Sequence, residues 1–437
     1  MTTTFTAPGR TRPYGARHRW VVLAVGVGAQ GSFSAMFSGI PVTGVVLRAG
    51  YHLSTASLGA VLACLALGVA ASDVVWGLLT DRWGDRRVLL TGMTGLGMLL
   101  VAMTAAVTPP DGAGTVLLGA CLLAAGALGG SVNAASGRAI MTWFGDGERG
   151  LAMGIRQTAI PVGGAVGVAL LPWLAGTYGF RAAYAVPAAL CLLSAAATWR
   201  WLHEPPSPSK PDPHGGPHPV AKTEAYGAGR SADASGTGDR PVKERSPLLR
   251  WDVWRLAVAG ALLTVPQFAV LSFTAIFLHD ARGQGSGPAA ATVLIAQIGG
   301  GAVRIWTGRR TDRGGDRRAH VRGIGALSGV AMAAAAVLAD APILVTVGAL
   351  AVGGVLANSW HGVAYTEIAA MAGTGRAGSA LGLLGTALFG AGFATSLLVP
   401  VVLELTSWHA VWGLAAGAAL LAVPLAPARV RSPRRAR

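Results

Sequence analysis

The sequence predicts an all-α membrane protein: twelve transmembrane helices in two pseudo-symmetric six-helix bundles. Apolar residues fill 52% of its 437 positions and charged residues 12%, with a mean hydropathy of +0.52. No soluble core of this size needs so much apolar surface. The stretch at 77–87, GLLTDRWGDRR, returns at 308–318 as GRRTDRGGDRR, each copy directly behind a long apolar run. Further landmarks repeat at a similar spacing: Gly150 with Gly378, Gly154 with Gly382, Pro172 with Pro400, Phe180 with Trp408. Repetition of this kind marks a duplicated bundle.

At about 20 residues per crossing, apolar segments fall near 20–45, 56–79, 88–107, 114–140, 151–174 and 182–199. The second set lies near 256–278, 288–307, 323–338, 343–368, 377–403 and 410–425. The run after Arg19 continues past Ile40, longer than a signal-peptide core and without a small-residue cleavage site, so it reads as a retained first span. The chain therefore divides into a tail at 1–19, a bundle at 20–203, a linker at 204–250, a second bundle at 251–428 and a basic tail at 429–437. The linker is rich in Pro, Gly, Ser and charge and holds the three lysines, Lys210, Lys222 and Lys243. Such a stretch cannot bury enough apolar surface to offset its ordering entropy and is expected to be disordered.

The formal charge of +16 is explained by its distribution. With the N-terminus inside the cell, 29 of the 35 lysines and arginines fall in tails and loops on that side, three lie outside and three within spans. This positive-inside bias predicts both termini in the cytoplasm and a multi-pass protein of the cell's inner membrane. It leaves no surplus that calls for nucleic acid. Cys64, Cys121 and Cys191 all fall inside spans with no paired spacing, and His203, His214 and His218 near the linker form no ligand pattern. Neither a metal nor any other cofactor is expected. No nucleophile with a base and no phosphate-cradling loop appears, so the chain does not read as an enzyme.

Twelve spans in two sixes, a Gly-x-x-x-Asp-Arg-x-Gly-x-Arg-Arg loop after spans 2 and 8, and a long central loop together resemble the major facilitator superfamily. The resemblance covers all but the tails and linker. It implies two bundles that rock about a central substrate site, most often as a monomer. It also implies that the loop signature acts as a conformational latch: Gly77 and Gly308 let helices of opposite halves approach. Asp81 and Asp312 would face helix N-termini or arginines across the seam, with Arg82, Gly84, Arg86 and Arg313 completing the motif. Arg87 and Arg318 read as orientation charges only.

Ionisable groups inside hydrocarbon cost on the order of 3 kcal/mol or more, so each marks a candidate site. Asp73 and Arg304 stand four residues before the two signature glycines and are duplicate positions, which duplication puts at equivalent depth on facing spans 2 and 8 of the two halves. At 1.5 Å per residue they lie about 12 Å inside the edge, with Arg138 and Arg156 about 8 to 9 Å deep. Three positives against one negative favour a bound anion. Arg304 also resembles, by position, the substrate arginine of oxalate:formate antiporters, monocarboxylate porters and nitrate porters. The step from Trp143-Phe144 to Arg149-Gly150 and Gly154 is similar to a run common in anion carriers. Nitrate porters carry a second arginine where this chain has Asp73, which disfavours nitrate. Two readings stand for Arg304, a structural pair with Asp73 or contact with substrate. Two also stand for Arg138, neutralising Glu367 or facing substrate. Gln30, Asn133, Gln267, Asn358, His361 and Tyr365 supply further polar groups on spans 1, 4, 7 and 10. His361 or Asp73 is the candidate site for a coupling proton.

The leading expectation is a secondary carrier of a small organic anion, a carboxylate above all, with Arg304 and Arg156 as anion ligands, moved by alternating access with proton coupling or exchange. A drug/proton antiporter of the same fold is the rival, since 160–164 (IPVGG) partly resembles an antiporter motif. That class also places an arginine on span 4 where this chain has Ala125. A non-transporting membrane sensor would leave the buried charges unexplained.

Overall fold

A computed structural model of the chain describes residues 15, 17–109, 114–203 and 246–427. The expectations for most of the N-terminal tail, for 204–245 and for the basic C-terminal tail lie outside the described residues. Those residues are helical almost throughout, with no strand among them.

The N-terminal half begins with α1 (His18–Val42, span 1), the short α2 (Gly44–Gly50), α3 (Thr55–Trp83, span 2) and α4 (Asp85–Ala106, span 3). Span 4 is two pieces, α5 (Thr115–Gly129) and α6 (Ser131–Trp143). Next comes α7, an unbroken helical trace over Arg149–Trp201. At 53 residues it would measure roughly 80 Å, far more than a bilayer core of about 30 Å. Gly179, at φ 78°, lies outside helical geometry and divides it. Spans 5 and 6 are its two arms, as the hydropathy predicts.

The second half repeats the plan: α8 (Trp251–Ile276, span 7), α9 (Ser286–Asp312, span 8), α10 (Arg317–Val337, span 9), α13 (Ala377–Leu405, span 11) and α14 (Trp408–Leu425, span 12). Span 10 is again two pieces, α11 (Ile343–Ala357) and α12 (His361–Ala372). The fold is that of twelve apolar helices in two six-helix bundles.

Each half has its own packed centre. Phe33, Met36, Leu65, Met93, Leu122 and Tyr184 are buried in the first, and Trp412, Phe277 and Met332 in the second. A third cluster around Phe144, Met153, Trp360 and Leu381 crosses between halves. Exposed apolar side chains such as Leu193, Trp306 and Leu344 cover the outer surface, as lipid contact requires. Trp20, Trp83, Trp199, Trp201, Trp251 and Trp254 are exposed at helix ends on one side of the protein, the placement of an interfacial aromatic belt. That side carries the repeated signature and is called the latch end below.

One expectation needs correction here. Spans 2 and 8 do not face each other. Span 2 packs against span 11 and span 8 against span 5, because two rotationally related halves bring non-equivalent helices together at each seam.

Candidate functional site

At the latch end, Asp81 accepts the backbone N–H groups of Gly378 and Ser379, each at 2.8 Å, and the Ser379 hydroxyl. Asp312 accepts those of Gly150 and Leu151, also at 2.8 Å. Each carboxylate thus caps the first turn of a helix in the opposite half, where free N–H groups and the helix dipole favour an anion. The glycines make the approach feasible. A Cβ on Gly77 would lie 2.4 Å from the Gly378 carbonyl oxygen, and one on Gly308 would lie 2.2 Å from that of Gly150. Gly84 turns the chain at φ 88°, whereas the second copy places its positive φ at Gly314, one residue before the counterpart Gly315.

The cations of the latch are not all those the signature names. Arg138 bonds Asp85 at 2.8 Å and the Thr374 carbonyl of the other half at 3.2 Å, and stands 3.6 Å from Asp81. Arg317 likewise donates to the Asp146 carbonyl across the seam at 3.2 Å and stands 3.6 Å from Asp312. Arg82 and Arg313 are exposed and form no ion pair among the described residues. Arg86 donates to the Trp199 carbonyl of its own half at 2.7 Å. Two expectations change accordingly. Arg138 extends its long side chain to the latch carboxylates instead of the central layer. Glu367 pairs at 2.5 Å with Arg318, on the first turn of span 9, so Arg318 is more than an orientation charge.

In the central layer, Asp73, Arg156 and Arg304 are wholly or almost wholly buried. Asp73 accepts from the Asn133 side-chain amide at 3.1 and 3.3 Å. It also lies hard against span 11, where a Cβ on Gly385 would come within 2.0 Å of its carboxylate. The Asp73–Arg304 pair is not formed, since the two stand on different seams. Arg156, on span 5, is the cation whose charge acts on Asp73, at longer range than an ion pair. It donates to Ser136 Oγ at 2.8 Å, Gln30 Oε1 at 2.7 Å and the Val132 and Asn133 carbonyls at 3.3 and 3.0 Å, while its Nη1 has no partner.

Arg304 donates to the Asn358 carbonyl, to Asn358 Oδ1 at 3.3 Å and, across the seam, to the Gln157 carbonyl at 2.8 Å. Gln267 joins this group through Asn358 Oδ1 at 3.0 Å. The arrangement has a structural cause. Spans 4 and 10 are both interrupted, near Gly130 and at Asn358–Trp360, and each interruption frees carbonyls that lipid cannot satisfy. Arg304 serves the break in span 10 through the Asn358 carbonyl, and Arg156 reaches the Val132 and Asn133 carbonyls in the first turn of the second piece of span 4.

Beyond this layer, away from the latch, lies a cavity of about 530 Å³ between the halves. Its wall includes Arg304, Gln30, Asn133, Gln267, His361 and Tyr365, and no acidic side chain. Arg156 stands behind Tyr365, its guanidinium carbon 5.8 Å from the ring centre, and Asn358 and Asp73 are likewise set back from the wall. His361 stacks on Trp360 with ring centres 4.0 Å apart, and its Nδ1 is unpartnered. Among the described residues no cluster of side chains could hold a metal ion.

Sequence comparison matches this architecture to a known family: the profile of the Major Facilitator Superfamily fits residues 24–395. The chain belongs to the Major Facilitator Superfamily. The "Uncharacterized MFS-type transporter Rv2994" of Mycobacterium tuberculosis is 29% identical over 429 residues, covering 96% of this chain and 87% of that protein. Two solved structures align with a TM-score of 0.68 at 15% identity and 94% coverage of this chain. One is the proton:xylose symporter XylE, covered to 95%, and the other the human organic anion transporter MFSD10, covered to 99%. A sugar carrier and an anion carrier fit equally well, so the fold does not choose the cargo. This facilitator is a multi-pass secondary transporter and not an enzyme.

Sequence reasoning missed Ser379, Arg317, Ser136, Gln157 and Gly385. The last two were within reach: the spacing of 228 that relates Gly150 to Gly378 also relates Gln157 to Gly385.

Proposed function

We propose that this transporter carries a small organic anion, a carboxylate, by alternating access. The observation that carries the reading is Arg304, a buried guanidinium on the wall of a cavity that has no acidic lining residue. Three of its five N–H groups are spent on protein oxygens. The remaining two match the two oxygens of a carboxylate. The same wall argues against a cationic drug as cargo, because a cation would meet Arg304 with no carboxylate to neutralise it.

In this reading the closed latch faces the cytoplasm together with both termini, the cavity serves the opposite side, and the protein acts as a monomer. Asp73 holds the coupling proton, being the carboxylate of the central layer, and Arg156 and Asn133 adjust its charge. His361 is the alternative proton site, on the cavity wall itself. Rocking that separates span 2 from span 11 would expose Asp73 to the latch side.

Binding of carboxylates to purified protein, followed by thermal shift, tests the reading. Arg304→Lys should weaken carboxylate binding at least tenfold, since the two-pronged contact is lost while the charge remains. Unchanged affinity in Arg304→Ala would end the assignment. In proteoliposomes, Asp73→Asn should remove the dependence of uptake on an imposed pH gradient yet leave substrate exchange running. Cysteine labels at Ser235 and Gly285 should react from opposite sides of the membrane.

A further inference from the structure

We infer that the substrate is a carboxylate with a large, ring-bearing apolar body, and not a small hydrophilic anion. The inference rests on the anion reading of Arg304 and extends it to the rest of the molecule carried. A cavity of about 530 Å³, at roughly 30 Å³ for each water-sized group, has room for on the order of 15 to 20 non-hydrogen atoms. Formate or oxalate would fill a small part of it.

The wall points the same way. Arg304 is the one arginine in the lining, which has no lysine or carboxylate, and most of the rest is apolar, with Phe33, Phe37, Phe268 and Phe389 among it. Three of these rings, Phe33, Phe37 and Phe389, form a connected group drawn from both halves. Phe37 of span 1 lies 5.6 Å from Phe33 and 5.4 Å from Phe389 of span 11, the latter pair edge to face at 79°. Phe389 stands four residues beyond Gly385, the glycine that packs on Asp73. A ligand ring inserted among them gains edge-to-face contacts from both halves at once. A pocket that is mostly apolar with a few convergent polar groups orients its ligand by the polar end and holds it by the body. Here the polar end is the carboxylate on Arg304.

The test measures dissociation constants of the full-length protein in detergent for acetate, butyrate, hexanoate and 3-phenylpropionate, with formate, oxalate and lactate as small hydrophilic anions. The uncharged 3-phenylpropanol and the cationic 3-phenylpropylammonium report on charge. Affinity should rise roughly fourfold per added methylene that is buried, and 3-phenylpropionate should bind at least 100-fold tighter than acetate. Phe37 is only half-buried, so Phe37→Ala should fold with a near-normal melting temperature. It should weaken 3-phenylpropionate about tenfold and leave acetate unchanged. Formate, oxalate or lactate binding as tightly as 3-phenylpropionate would overturn the apolar-body inference and leave the anion reading standing. Equal binding of the alcohol or the ammonium compound would overturn the anion reading and leave the apolar pocket standing. Failure of every carboxylate to bind would overturn both.

Discussion

The seam between spans 2 and 11 and the seam between spans 5 and 8 are built alike at the latch and differently one layer deeper. At the latch, Asp81 and Asp312 cap opposite helices with the same 2.8 Å contacts. Arg138 and Arg317 reach carbonyls at Thr374 and Asp146, again a spacing of 228, each at 3.2 Å. These two arginines come from different spans, so the two halves arrive at the same contact from non-equivalent positions. Deeper, one seam sets Asp73 against Gly385 and the other sets Arg304 against the backbone of Gln157. The contact at the latch retains one geometry in both halves. The deeper layer, beside the cavity, is where the duplicate copies have diverged.

The largest expected effect tests that deeper difference. Arg156→Ala removes the cation that acts on Asp73 together with the donor to Ser136, Gln30 and two carbonyls, and should cost about 1.5 to 3 kcal/mol, of which Asp73→Asn should restore part. The same Asp73→Asn should not rescue Arg304→Ala, because Arg304 belongs to the other seam. Melting temperatures of the three single and two double variants decide it. Equal rescue in both backgrounds would mean that the two seams share one charge network.

Next come the latch caps. Asp81→Asn and Asp312→Asn should each weaken the closed latch, by about 1.5 to 3 kcal/mol for charge-assisted bonds lost. Asp81→Asn should have the greater effect, since Asp81 also accepts the Ser379 hydroxyl. Spin-label distances between the halves at the latch end would read the shift. An effect confined to one seam would break the symmetry of the comparison.

Overpacking follows. Gly77→Ala and Gly308→Ala should each disfavour the closed seam by about 1 to 3 kcal/mol, with a matching loss of transport, because the new Cβ meets a backbone oxygen that cannot turn aside. Gly385→Ala should cost a similar amount and Gln157→Ala much less, since it is the Gln157 carbonyl that holds Arg304. Smallest are Arg138→Gln and Arg317→Gln, each below about 1 kcal/mol on the latch equilibrium. Similar values for the pair would support their equivalence despite their different origins.

The spans, their pairing into two halves and the latch glycines and aspartates were readable from the chain. Hydropathy, the repeat of 77–87 at 308–318 and the cost of charge in hydrocarbon act along the sequence or act on one residue at a time. The same reasoning picked out Asp73, Arg156 and Arg304 as buried. It could not say which groups meet, because that depends on which helices the two-fold relation of the halves places side by side. Duplication arithmetic set Asp73 opposite Arg304, whereas packing sets span 2 on span 11 and span 8 on span 5. Partners three or four residues away along one helix follow from its pitch. Partners more than a hundred residues away, such as Arg304 with Gln157 or Arg138 with Thr374, follow only from the assembled bundle. The breaks in spans 4 and 10 belong to the same class. Continuous hydropathy across Gly130 and Asn358 gave no sign of them, and only the tertiary structure shows that the Arg304 guanidinium takes up the carbonyl at the break in span 10, the kind of partner an interrupted helix needs inside a membrane.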